Sequence, residues 1–373
     1  METSPDPAGP GLYVHVPFCV RKCPYCDFYS ERDFSRLLPV YFKALALEAE
    51  KRAPDFPEIF DTLYLGGGSP SLLAPDDLLT LKEALKPFGT SFGAEVTLEA
   101  NPEDVTEEKA EFWKEWGATR VSLGVQSFSD RSLRVLGRTH GADKAKEALA
   151  AVLSRDLNPS LDLIFGMSGQ TPGDWEADLV SAVGSGAGHV SAYALTPAPG
   201  TALAEGLADG SLPPLPDEET MAELFSLSLE ILGRHGFRRY EVSNFARPGH
   251  ESRHNLKYWR RANYLGLGPS AASLKDGLRS ANPPSLSEWS RLLFEDSPSP
   301  RLLDVLTPER ERTERVMLGF RTEDGVSPRD IGPDAAAKLK SYVDGGFLVK
   351  RGERLVPTEK GFLIADRLAL DLS

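Results

Sequence analysis

HVPFCVRKCPYCDFYS, residues His15 to Ser30, holds all three cysteines of a 373-residue chain. Cys23-Pro24-Tyr25-Cys26 has the form of a glutaredoxin-type redox pair, yet Cys19 stands four residues upstream and a dithiol gives it no role. Three cysteines confined to eight positions are not a disulfide framework; in a reducing compartment such a cluster reads as metal-binding or catalytic. A structural zinc would need a fourth ligand, from His15 or a distant histidine, and no second CxxC or paired histidine completes a standard site. An iron–sulfur cluster takes three thiolates on three of its irons and leaves the fourth open to a small molecule. The spacing favours the cluster and leaves zinc and the redox pair as the alternatives.

The rest of the chain bounds the setting. A net charge of -13 argues against a broad nucleic-acid-binding face. No apolar run approaches the length of a membrane span, and METSPDPAGP at the start has neither a basic nor an apolar region of a signal peptide. A cytoplasmic protein is the expectation.

β-type runs recur outward from the cysteines: GLYVHVP (from Gly11), TLYLGGG (Thr62), EVTLEAN (Glu95), TRVSLGV (Thr119), SLDLIFG (Ser160) and HVSAYAL (His189). Helical patterns lie between them. One follows Pro39, with Leu38, Phe42, Leu45 and Ala49 on one face; one starts at Ala74-Pro75; one has Thr171 as N-cap, Pro172 at the first position and Asp174 closing a capping box. Strand–helix alternation implies an α/β fold with a parallel sheet. Six units are too few for a closed eight-stranded barrel and suit a partial (β/α)6 TIM-like barrel better than a doubly wound sheet. Polar or glycine residues gather at the strand C-terminal ends: Cys19, Gly66–Gly68, Glu99-Ala100-Asn101, Gln126, Asp162 and Thr196. Loops need such residues anyway, but Glu99 and Asp162 interrupt apolar runs, as chemistry at that barrel edge would require.

Residues 1–10 are expected as a tail, 11–280 as the core and 281–300, rich in Pro and Ser, as a linker. Residues 301–373 are expected as a small helical domain with a wing, its hairpin turning at Arg351-Gly352. Asp324, Asp330, Asp334, Asp344, Asp366 and Asp371 make this module a poor phosphate-binding face, so nucleic acid is not an expected partner.

CVRKCPYC is CxxxCxxC, and the chain resembles the radical S-adenosylmethionine (SAM) superfamily, in particular its oxygen-independent coproporphyrinogen III oxidase-like members. LYVHVPFCVRKCPYCDFYS, YLGGGSPSLL, EANPED, RVSLGVQSFSDRSLRVLGRTH and DLIFGMSGQT carry the likeness from about residue 11 to 280. Within that group His254-Asn255-Leu256-Lys257-Tyr258-Trp259 is the HNxxYW motif of the haem-chaperone branch, in a motif region at about 240–280. The oxidase branch has a fourth cysteine where Phe28 stands, and a long N-terminal arm where about 18 residues precede Cys19.

The resemblance implies that Cys19, Cys23 and Cys26 ligate a [4Fe–4S] cluster whose open iron chelates SAM. It implies SAM contacts from Tyr13, Tyr25, Gly67, Gly68, Ser69, Glu99, Gln126, Arg138 and Asp162. Glu99 suits the ammonium, Arg138 the carboxylate, and Gln126 and Asp162 the ribose. Blander roles are a Glu99–Arg120 ion pair, a helix-end cation at Arg138, and a plain turn or phosphate loop at Gly66–Gly68. His254 is the implied haem iron ligand, with Tyr258 and Trp259 against the porphyrin and His250 in reserve; a polar-loop histidine beside ordinary core aromatics is the alternative. Arg247, Arg253, Lys257, Arg260 and Arg261 are candidates for the haem propionates, or a solvated patch. His15 reads as structural. The implied function is carriage of haem, as cargo, to haem-requiring proteins such as respiratory enzymes; peripheral membrane association and a homodimer are compatible with it. Coproporphyrinogen III oxidation and thiol oxidoreduction through Cys23 and Cys26 are the competing functions.

Overall fold

The computed structural model describes residues 9–297 and 301–373. Residues 1–8 of the expected tail and 298–300 of the expected linker therefore lie outside the described residues.

Six strands occur where the apolar runs place them: β1 (Gly11–Val16), β2 (Phe60–Gly67), β3 (Thr90–Ala100), β4 (Arg120–Gln126), β5 (Asn158–Phe165) and β6 (His189–Ala194). They pair in parallel in sequence order. An order that never reverses has no switch point, so the sheet winds one way, as in a barrel wall, rather than doubly. Right-handed crossovers then put the connecting helices on one face. The wall does not close. Short strands extend both ends: β7 (Arg238–Arg239) and β8 (Asn244–Ala246) beyond β6, and β9 (Tyr264–Leu267), β10 (Ala272–Lys275), β11 (Leu278–Ala281) and β12 (Arg301–Val305) beyond β1.

The helix patterns have physical causes that the structure displays. Thr171 Oγ1 accepts from Asp174 N at 3.2 Å while Thr171 N donates to Asp174 Oδ2 at 2.9 Å, the reciprocal capping box. The helix expected after Pro39 instead runs Phe34–Arg52 with Pro39 inside it. Phe34 packs on Phe18 at 6.2 Å between ring centroids, which anchors the extra turn despite the proline. Leu38, Leu45 and Ala49 are buried as their spacing requires.

The expected linker is not one. Its residues Leu286–Phe294 form a helix whose Leu286, Trp289 and Leu293 belong to the main core. Trp289 packs on Tyr41, its Nε1 donates to Glu48 Oε2 at 3.2 Å, and Leu286 N donates to the Tyr29 hydroxyl at 2.6 Å. Alternating Pro and Ser at its ends hid an amphipathic turn whose apolar residues sit three and four apart.

The C-terminal module has its own core of Val316, Phe320, Val326, Leu348, Leu355, Leu368 and Leu372. It comprises helices Pro308–Gly319 and Ala336–Asp344, the hairpin β13 (Leu348–Arg351) and β14 (Arg354–Pro357), and two short final helices. The hairpin turns at Gly352-Glu353, one residue later than expected, with Gly352 at a φ of +57°. Among the described residues no helix is long and apolar enough to cross a membrane.

Trp289→Ala is expected to lower unfolding free energy by about 3–5 kcal/mol in a denaturant titration, as truncation of a buried aromatic does. A change below about 0.5 kcal/mol, the range of surface substitutions, would return this helix to the status of a linker.

Candidate cofactor site at the barrel mouth

The cysteine loop leaves β1 and is pinned at its base. Cys19 N donates to Glu31 O at 3.0 Å, closing the loop on itself. The end of β2 is pressed against that base: Gly68 N donates to Val16 O at 2.9 Å and Ser69 N to Phe18 O at 2.7 Å. The glycines are required by this approach. A Cβ on Gly68 would lie 2.6 Å from the carbonyl oxygens of Val16 and Phe18; one on Gly67, whose φ is +101°, would lie 2.2 Å from His15 Nδ1. Gly66–Gly68 is thus more than a plain turn, and His15 is the plate on which Gly67 rests.

Polar side chains converge from the strand ends onto the cysteines. Ser69 Oγ is 3.7 Å from Cys19 Sγ, Asn101 Nδ2 donates to Ser69 Oγ at 2.7 Å, and Arg138 reaches Asn101 with Nη2 and Cys23 Sγ, at 3.5 Å, with Nη1. Hydroxyl and guanidinium donors beside sulfur suit anionic thiolates. Burial pushes the Cys19 and Cys26 thiols up. Among the described residues no three His, Cys, Asp or Glu side chains converge as a single-ion site needs. A cubane instead takes each thiolate on a different iron, so the loop fits a cluster better than zinc.

Deeper in, Glu99 accepts from the Tyr64 hydroxyl at 2.8 Å and from Gly67 N at 2.9 Å. Burial holds its carboxyl up at about 7, and Asp162, bonded to Ser122 Oγ at 3.0 Å, at about 6. Gln126 ends β4 with a φ of +66°, a strained backbone that turns it to the cavity. Below these, His189 is bonded to Ser160 Oγ at 2.6 Å and to the Tyr240 hydroxyl at 2.7 Å, and burial keeps it neutral. Arg120 pairs with Glu95 at 3.3 Å, not with Glu99.

One cavity of about 570 Å³ joins these groups. It takes in Cys19, Cys23, Tyr25 and Cys26, then Gly67, Gly68 and Ser69, then Glu99, Gln126, Arg138 and Asp162. Three buried atoms of its lining, Arg138 Nε, Thr97 Oγ1 and Arg120 Nη1, have no hydrogen-bond partner among the described residues. Unmade bonds of this kind are costly, and a polar ligand would satisfy them. Asn101, Asn255, Ser191 and His189 also line the cavity, none of them an expected cofactor contact. Asn101 had its place at a strand end and Asn255 its place in the HNxxYW motif as signals; Ser191 and His189 had none beyond neighbourhood.

Four expected residues lie elsewhere. Tyr13 is off the cavity, its hydroxyl 3.0 Å from His15 Nδ1. His254 is fully buried, with Nδ1 2.8 Å from Thr62 Oγ1 and Nε2 2.8 Å from the Tyr258 hydroxyl, and burial beside Lys257 pushes it down to about 3. Both ring nitrogens are committed, and none of His254, Tyr258 and Trp259 is part of the cavity lining. On the helix Arg253–Trp259 successive residues face about 100° apart, and it is Asn255 that meets the cavity. The cations of the motif are also engaged. Lys257 pairs with Asp61 at 2.5 Å, Arg253 with Asp61 at 3.6 Å, Arg260 with Asp324 at 2.7 Å and Arg261 with Glu314 at 2.6 Å; Arg247 stacks over Phe237. His250 bonds Asn158 Oδ1 at 2.9 Å, away from the cavity.

Glu99 and Asp162 titrate higher folded than unfolded, so the stability they contribute is present at low pH and lost as pH rises through about 6 to about 7. In cluster-free protein the double substitution Glu99→Gln and Asp162→Asn is therefore expected to gain stability relative to wild type from pH 5 to pH 8. A difference independent of pH would show that neither carboxyl is displaced.

Known proteins resemble this chain over most of its length. The family model described as Radical SAM superfamily matches residues 13–181, and that of the HemN C-terminal domain matches 306–364. A Mycobacterium tuberculosis protein named Heme chaperone HemW is 36% identical over 99% of this chain and 96% of its own length. Its Bacillus subtilis namesake is 35% identical over 90% and 88%. The solved structure of Escherichia coli coproporphyrinogen III oxidase HemN, a radical SAM enzyme, superposes with a TM-score of 0.83 over 98% of this chain and 90% of that one, at 22% identity, which speaks to fold. With whole-length relatives of this kind and the cysteine loop on a six-unit wall, the chain belongs to the HemW family of the radical SAM superfamily.

Proposed function

We propose that this protein is a haem chaperone that binds a [4Fe–4S] cluster through Cys19, Cys23 and Cys26, binds SAM in the cavity, and hands haem to haem-requiring proteins such as respiratory enzymes. The observation that carries this reading is the likeness to proteins named heme chaperones across 99% of the chain. The donor chemistry around the thiols and the unpartnered atoms of the cavity support its cofactor part. Recipient enzymes of that kind are often membrane-bound, so we place the transfer at the cytoplasmic face, by peripheral contact.

When bound, the cluster supplies a one-electron donor with one iron free of protein thiolate. The residues supply the rest. Ser69 and Arg138 stabilise the thiolate charge. Arg138 Nε is the free donor for a ligand carboxylate, and Glu99 is the acceptor for an ammonium. Gln126 and Asp162 remain for the ribose hydroxyls. Tyr25, between the second and third cysteines, lines the cavity beside Cys23 and Arg138 and would lie near the cluster and the adenine.

Oxidative decarboxylation of a porphyrinogen is the second reading, on the shared fold. Against it, Phe28 stands where the oxidase branch has a fourth cysteine. Thiol exchange by Cys23 and Cys26 is the third reading, and it leaves Cys19 without a role.

The test is a visible-absorbance haem titration of anaerobically reconstituted protein. Wild type is expected to show a saturable Soret shift, and Cys19→Ala, Cys23→Ala and Cys26→Ala each to lose the brown cluster absorbance. No haem binding by wild type would sink the chaperone reading and return the oxidase.

His254→Ala, which strips the Thr62 and Tyr258 hydroxyls of their partner, is expected to cost about 1–3 kcal/mol of stability. Haem affinity is expected to stay within about threefold of wild type, since the imidazole is committed to the core. Loss of haem binding with unchanged stability would restore His254 as the ligand.

A further inference from the structure

We propose that the tetrapyrrole sits at the rim of the barrel mouth, stacked on Phe28 of the cysteine loop with its carboxylates on Arg21 and Lys22, and that it is held by its macrocycle rather than through its iron. The inference rests on the haem reading above and names the seat of that cargo.

The first observation concerns histidine. The chain has six. Four of them, His15, His140, His189 and His254, have both ring nitrogens bonded. The other two, His235 and His250, are each bonded through one nitrogen and are not part of the cavity lining. The three cysteines belong to the cluster. No imidazole is therefore free at the cavity to ligate iron, and recognition there must address the ring and its acids.

The second observation is the rim itself. Phe28 is 62% exposed and lines the cavity two residues after Cys26; Val20, in the same loop, is 74% exposed. Large apolar side chains held out in water beside a cavity are the mark of a surface awaiting an apolar partner. The same cavity lining takes in Tyr193, 40% exposed, and Leu195, Thr196 and Ala198 of the turn after β6, which add aromatic and aliphatic surface to the phenyl ring of Phe28.

The third is charge. Arg21 and Lys22 line the same cavity, and neither makes a hydrogen bond or ion pair among the described residues, in a chain of net charge -13. The cations of the HNxxYW region, by contrast, are taken by Asp61, Asp324, Glu314 and Phe237. Two unpaired cations beside an exposed aromatic are complementary to an apolar macrocycle with acid arms.

The experiment titrates the cluster-reconstituted protein with haem, metal-free protoporphyrin and haem dimethyl ester, read by Soret absorbance and porphyrin fluorescence. Wild type is expected to bind haem and metal-free protoporphyrin within about threefold of each other, because iron is not the handle. Phe28→Ala is expected to weaken both by about tenfold, the loss of one aromatic face. Arg21→Glu with Lys22→Glu is expected to weaken the two dicarboxylates by about tenfold and to leave the dimethyl ester unchanged. Retained cluster absorbance shows that these variants keep the loop. Haem binding that requires iron, or that is unmoved in both variants, would overturn this seat while the chaperone reading stands. Failure of wild type to bind haem at all would overturn the chaperone reading, and the seat with it.

Discussion

The fold and the site both depend on the close approach of the β2 end to the base of the cysteine loop. Gly68 sits where a side chain would strike two carbonyl oxygens, and Gly67 sits flat on the His15 ring. That contact aligns Ser69 beside Cys19 and delivers Gly67 N to Glu99. Cluster loop, glycine loop and the carboxylate of β3 are thereby one rigid unit. His15 in turn is held by the Tyr13 hydroxyl and by Tyr29 O, and Tyr29 caps the helix Leu286–Phe294. A chain of hydrogen bonds thus runs from the helix Leu286–Phe294 through Tyr29 and His15 to the base of the cysteine loop, which is why a helix remote in sequence matters to the mouth.

The six-unit wall was legible because each strand run is short, β-branched and bounded by turn residues, and because nothing in strand order contradicts sequence order. The cysteines, Glu99 and Asp162 drew notice because polar groups at strand ends have few other reasons to be there, whereas Arg138, which follows a helix, was expected only through the family resemblance. Two kinds of feature were not legible. The helix around Trp289 lay between prolines and serines, and only its contacts with Tyr41 and Glu48 reveal it as core. His254 was expected at the site because of its family motif, yet in the structure its ring nitrogens are spent inward on Thr62 and Tyr258. Sequence spacing says which residues share a helix face; it does not say which face looks at the cavity, and here the neighbour, Asn255, does.

The electrostatics divide the cavity by depth. At the mouth, donors surround sulfur. In the middle, two carboxyls sit near neutrality in pH, poised to ionise when a cation arrives. At the floor, Arg120 is tied to Glu95 and to the carbonyls of His250 and Glu251, so the HNxxYW region and the barrel wall share one guanidinium.

The seven-residue helix Arg253–Trp259 has a consequence of its own. One side of it is bolted to β2 through His254 and Lys257, another meets the cavity through Asn255, and the arginines just past its end grip the C-terminal module through Asp324 and Glu314. It is a junction of three contacts: seven residues tie the second strand of the wall, the cavity lining and the C-terminal module together, so the module is fastened to the core through the same short helix that closes the cavity at Asn255.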